Sequence, residues 1–177
     1  ALLVITGGFG SHIQLREDWR SPILEKEFIT VFLQGDQCMG TFLKAYRRDG
    51  FELFVRAFAQ AAEQYPIDKT RVYLGAQSAG AHFAFNLALD ELIPIAGIVL
   101  AFPGTPDLDP AKLGKAAGRG LSVVMLAGGK DPRAGKSKEL AALMGRQGMR
   151  NRLTVFQENA MSFPMISRAS STGPWTS

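Results

Sequence analysis

At 177 residues, with 46% hydrophobic and 20% charged side chains, the chain has the makeup of a folded domain able to bury a core, not of a disordered polymer. Its net charge of +4 raises the question of an acidic partner, but the basic residues are scattered: Arg47-Arg48 is the longest run, and Arg146, Arg150 and Arg152 lack interleaved aromatics. Nucleic-acid binding is therefore unsupported, no apolar run approaches the roughly 20 residues that span a bilayer, and the lone Cys38 excludes an intrachain disulfide or a cysteine metal cluster.

Taken in chain order, short apolar runs alternate with helical patterns. Leu2 to Ile5 reads as a buried strand that ends in Thr6-Gly7-Gly8-Phe9-Gly10. Because a natural translation product begins with Met, Ala1 implies that an upstream segment was removed or omitted. The compartment, cytoplasmic or secreted, stays open. Phe28 to Leu33 predicts a second strand, and Gly50 to Tyr65 a helix, with Phe51, Phe54, Val55, Phe58, Ala61 and Ala62 at three- and four-residue spacing and Pro66 as its stop. Arg71 to Leu74 is a short strand, followed by a small-residue-rich helix from Gly80 to Leu89. Further strands are predicted at Ile95 to Phe102, Leu121 to Leu126 and Leu153 to Phe156, with a helical stripe at Leu140, Leu143 and Met144 closed by Gly148. Strands alternating with helices imply a mostly parallel sheet covered by helices, whose chemistry sits at the carboxyl ends of the strands. No repeat, low-complexity tract or linker divides the chain, so residues 1–177 are expected to form one domain.

The sharpest local signal is Val72-Tyr73-Leu74-Gly75-Ala76-Gln77-Ser78-Ala79-Gly80-Ala81-His82, a strand running straight into a helix with small residues crowded around one serine. A nucleophile on so tight a turn takes strained backbone geometry, and bulky residues two positions to either side would strike the neighbouring strand and helix. Ala76 and Gly80 keep that space clear. The same turn lifts the Ser78 oxygen above the sheet and aims backbone N–H groups, that of Ala79 among them, at a developing oxyanion.

This segment resembles the nucleophile elbow G-x-S-x-G of the α/β-hydrolase superfamily, in its small esterase, polyhydroxybutyrate-depolymerase and dienelactone-hydrolase-like branches, with Ala76 in place of the first glycine. The stretch Ile67 to Tyr73 is also similar to what these esterases carry before the elbow, and the likeness extends in order over nearly the whole chain. It implies an α/β-hydrolase fold: a mostly parallel sheet flanked by helices on both faces, without a large lid, since no long insertion lies between Gly97 and Ala127. The chain begins at a strand that is usually the third of that fold. The early strands are therefore expected to be absent, leaving an exposed sheet edge that could pair with another copy.

The resemblance also implies roles. Gly8 or Phe9, in the glycine-rich turn after the first strand, would supply the second backbone oxyanion donor beside Ala79. Asp131, in Ala127-Gly128-Gly129-Lys130-Asp131-Pro132, would orient a catalytic histidine, with Asp107 and Asp109 as weaker candidates; its structural alternative is to cap the following turn. The pattern then breaks. The family's base belongs in a stretch such as Gly-His-x-Phe-Pro, and this chain has Asn159-Ala160-Met161-Ser162-Phe163-Pro164, with Met161 where histidine is expected. A thioether does not accept the serine proton. Of the two histidines, His82 lies one helical turn after Ser78 and reads as a packed structural residue, while His12 follows the oxyanion loop and could reach the rim of the site. The implied activity is hydrolysis of carboxylic esters through Ser78 without cofactor or metal. The rival is a catalytically degraded protein that binds a small ester or other acyl ligand without turning it over.

Overall fold

The structure is a computed structural model, and it describes residues 1–7, 16–17, 19–32, 52, 54–78, 80–91, 93–103 and 108–157. Within these the strands are β1 (Leu2–Gly7), β2 (Ile29–Phe32), β3 (Val72–Gln77), β4 (Gly97–Ala101), β5 (Ser122–Gly128) and β6 (Arg150–Phe156). The helices are α1 (Pro22–Glu27), α2 (residues 54–64), α3 (Gly80–Leu89), α4 (Pro110–Gly118) and α5 (Ala134–Arg146). The strands form one six-stranded sheet in the order β2-β1-β3-β4-β5-β6, and every pairing in it is parallel. The chain steps outward from β1 to β2, returns past β1 to β3, and then proceeds in the other direction. The order therefore reverses between β1 and β3, the kind of junction at which open parallel sheets form a crevice beyond their carboxyl ends.

Side chains in a strand alternate between faces, and here the alternation builds two cores. Val72, Leu74, Ile98, Leu100, Val123 and Met125 point to one face, where they meet Phe54 and Ala61 of α2, Phe85 and Leu87 of α3, Leu113 of α4 and Leu140 and Met144 of α5. Ala101, Val124 and Leu126 point to the other, where Trp19, which precedes α1, and Leu24 of α1 cover them. Helices thus flank both faces. Phe54, Leu74, Phe85, Ile98, Leu100 and Met125 are fully buried, and each contributes about 1.5–3 kcal/mol relative to exposure. Helix α3 is buried on nearly every side, which explains its almost uninterrupted apolar sequence.

The sequence reading matches these elements except at particular points. Helices α1 and α4 were not expected. Both are short and start on a proline at the first turn, and α4 is capped by Asp109, whose carboxylate accepts from the Ala111 N–H at 2.8 Å. Strand β5 runs on to Gly128 and β6 begins at Arg150, because pairing with a neighbouring strand extends both beyond their apolar stretches. The first strand is internal; the edge strands among the described residues are β2 and β6.

Candidate active site

The carboxyl ends of the strands bring the elbow and the acid candidate onto one rim. Ser78 is the residue after β3 and stands two positions before α3, as the elbow reading requires. Its φ is 51°, in the left-handed region where an L side chain crowds its own backbone. Two bonds hold it there: the Ser78 N–H donates to the Ala101 carbonyl at 3.0 Å, extending the β3–β4 ladder, and the Ser78 carbonyl accepts from the Ala81 N–H at 3.1 Å in the first turn of α3. The residue is half-buried. Ala76, two residues before it, and Gly80, two after, are buried, so the positions requiring small side chains are the enclosed ones.

Strand β1 ends beside this turn. Gly7 pairs with Gln77, one residue before Ser78, so the chain leaves β1 next to the elbow. The next residues, Gly8 and Phe9, lie outside the described residues, as do Ala79, Met161, His12 and Asp107. His82 is half-buried within α3. Asp109 is engaged as the cap of α4.

Asp131 lies three residues beyond β5, two strands from Ser78. Its side chain is 4% exposed and is held by Arg133: the guanidinium Nε donates to Oδ1 at 2.9 Å and Nη2 to Oδ2 at 2.8 Å, while the Arg133 backbone N–H adds a third bond to Oδ1 at 2.9 Å. These bonds, the guanidinium's foremost, keep the Asp131 carboxyl below the usual carboxylate range although burial acts in the opposite sense. The structural role foreseen for this aspartate, tying the turn that follows it, is therefore present. The turn also touches the end of β6. The Gly129 N–H donates to the Phe156 carbonyl at 2.7 Å, and a Cβ at Gly129 would come within 3.1 Å of that oxygen, an approach suited to glycine. The end of β6 thus lies against the Asp131 turn.

Two features of the rim were not foreseen. The Oε1 of Gln77, adjacent to Ser78, is buried with no hydrogen-bond partner among the described residues, and Arg133 clamps Asp131. The sequence Asp131-Pro132-Arg133 held a hint of the second, since residues two apart around a turn can meet; nothing in the sequence marked the first. Among the described residues no three His, Cys, Asp or Glu side chains converge as a metal site would need. Nor is any helix there long and apolar enough to cross a membrane.

No family model matches the chain, and no curated protein matches it in sequence. Solved structures do match in shape. An uncharacterized protein from Bacillus cereus ATCC 10987 superposes with a TM-score of 0.82 at 16% identity, over 97% of this chain and 57% of that one. The apoenzyme of S-formylglutathione hydrolase from Staphylococcus aureus gives 0.73 at 13% identity, over 97% and 80%. A bacterial heroin esterase gives 0.71 at 16%, over 97% and 71%. The chain has the α/β-hydrolase fold. At these identities the likeness concerns the fold, and the chain spans little more than half of the Bacillus cereus protein. Ser78 and Asp131 follow the third and fifth strands of the chain, at the carboxyl ends of the parallel sheet.

Proposed function

We propose that the chain is a serine hydrolase of carboxylic esters, folded as one domain over residues 1–177, with its turnover limited at the position of the base. The observation that supports this best is the left-handed backbone of Ser78 at a strand–helix junction beside the reversal of strand order. Strain of this kind, costing about 1–3 kcal/mol, persists where the surroundings over-determine it, and such residues gather at active sites.

In the proposed reaction the Ser78 Oγ adds to the acyl carbon and the carbonyl electron pair moves onto oxygen. The N–H groups of Ala79 and of Gly8 or Phe9 receive that oxyanion. Collapse re-forms the carbonyl and expels the alcohol, and water then cleaves the acyl-serine. The pairing of Gly7 with Gln77 favours this assignment, because the glycine-rich turn starts one residue from the elbow. Asp131 is the orienting acid, and Met161 marks the base position. The proximity of Gly129 to Phe156 supports that pairing, since the end of β6 meets the Asp131 turn. The Met161 thioether accepts no proton, so water relays the Ser78 proton to the departing alkoxide, and without general-base assistance the rate falls by about 10²–10⁴-fold. The chemistry requires no cofactor, and the partner is a small ester or other acyl ligand, not a nucleic acid.

The Arg133 clamp favours a second reading, in which the fold binds an acyl ligand without turning it over. Three donors from Arg133 occupy the carboxylate that an imidazole would need. Labelling with a fluorophosphonate probe tests the two. Covalent labelling that Ser78→Ala abolishes supports the hydrolase reading; failure of the unmodified chain to label transfers the case to the binding module.

A further inference from the structure

The edge of the sheet opposite Ser78 holds a groove of about 780 Å³ formed by the segments that lead into β3, β4, β5 and β6. Among the described residues its lining includes Lys69, Arg119, Arg150 and Arg152 and no carboxylate. The four cations come from three separated parts of the chain. Lys69 precedes β3, Arg119 caps the end of α4, and Arg150 and Arg152 lie two apart on β6, which turns both to one face of the sheet. That face is the one carrying Tyr73 and Val124, since Arg152 is in register with Val124.

The strand registers set Tyr73, Gly97, Ser122 and Arg150 side by side, and Tyr73, Ser122 and Arg150 of this row line the groove. A Cβ on Gly97 would stand 3.1 Å from the Ser122 Oγ and 3.2 Å from the Tyr73 ring, so glycine is what lets these two approach. Two of the cations are fixed by neighbours. Arg150 donates to the Gly120 carbonyl at 3.3 Å, and Arg119 donates to the Ala88 carbonyl at 3.2 Å and lies 3.6 Å from the Glu91 carboxylate. Asp68, beside Lys69, is turned to Thr70, which donates to it from both its N–H and its hydroxyl. Lys69, Arg150 and Arg152 therefore have no carboxylate partner among the described residues. Like charges gathered with so little compensation repel one another, and a bound anion relieves that repulsion.

We propose that this groove is a second binding site, for a small, multiply charged anion of the phosphate class. Three uncompensated cations match a di- or trianion better than a single charge. Arginine forks match phosphate oxygens in pairs, and the lysine ammonium adds a further charged donor. The site lies at the amino ends of the strands whose carboxyl ends carry Ser78, so its occupation neither needs nor blocks the elbow, and the inference stands independently of the proposed hydrolysis.

Isothermal titration of the full chain with sodium pyrophosphate at fixed ionic strength tests it. Saturable one-to-one binding is expected. The double substitution R150Q/R152Q should weaken it by roughly tenfold or more, as loss of two charge-assisted donors implies. The control K136Q/K138Q, which removes the same charge from exposed positions on α5, should weaken it by less than about twofold. Lys69→Gln, off the sheet, should weaken it by about threefold and serves if the β6 double variant does not fold. Equal losses in the α5 and β6 variants, or no saturable binding, would overturn the site. Citrate binding as tightly as pyrophosphate would overturn the phosphate assignment.

Discussion

Replacing Ser78 with glycine and, separately, with alanine removes the same hydroxyl but treats the backbone differently. At φ 51° alanine keeps the crowding between Cβ and the carbonyl, whereas glycine has no Cβ to crowd. The left-handed conformation costs an L residue about 1–2 kcal/mol. Glycine gives back part of that advantage, about 0.4–1 kcal/mol, through the greater freedom of its unfolded chain. Ser78→Gly is therefore expected to exceed Ser78→Ala in stability by roughly 0.5–1 kcal/mol, about 1–4 °C in Tm for a domain of this size. Urea unfolding followed by circular dichroism, with both variants in one buffer, measures the difference directly. The comparison isolates backbone strain, because neither variant can act as a nucleophile. A Ser78→Ala protein equal to or more stable than Ser78→Gly would refute the strained elbow, and with it the chief support for Ser78 as nucleophile.

The Asp131–Arg133 pair should make stability depend on pH. Its folded carboxyl lies below the usual range, so its contribution is complete above about pH 4, where the unfolded carboxyl is also ionised, and is lost as pH falls through the lower folded value. Arg133→Met should cost roughly 1–3 kcal/mol at pH 7, a gap that narrows in urea titrations run at successively lower pH; a constant gap would count against the ion pair. Met161→His should raise hydrolysis of p-nitrophenyl acetate by about 10²-fold or more, and adding Ser78→Ala should abolish the gain. If the unmodified protein is already efficient and His12→Ala abolishes its activity, the base lies near the oxyanion loop instead. Gly97→Ala sets a Cβ against Ser122 and Tyr73 and should destabilise by about 1–3 kcal/mol in thermal unfolding; a neutral result would mean that these two side chains yield.

Much of this architecture was legible because its signals are local. Alternation in β5 places Val123 and Met125 on one face and Val124 and Leu126 on the other, and the sequence shows these four consecutive apolar residues between Gly120 and Gly128. The small residues around Ser78 likewise report the turn that needs them. Helix α4 escaped notice because nine residues with only Leu113 and Ala116 buried carry too weak an apolar stripe, although Asp109-Pro110 marked its start. The Asp109 carboxylate, weighed as a catalytic acid, is used to cap that helix.

By itself, then, the sequence determined the kinds of elements, their order and the strained position of Ser78, since helix periodicity, strand alternation and turn chemistry act over a few residues. Only the tertiary structure decided which strands are neighbours. That choice put Gly7 beside Gln77 and brought the Asp131 turn against the end of β6. It also gathered Lys69, Arg119, Arg150 and Arg152, scattered in sequence, around one groove. Register and strand order are set by burying two apolar faces at once, a long-range condition that no short stretch of the chain encodes.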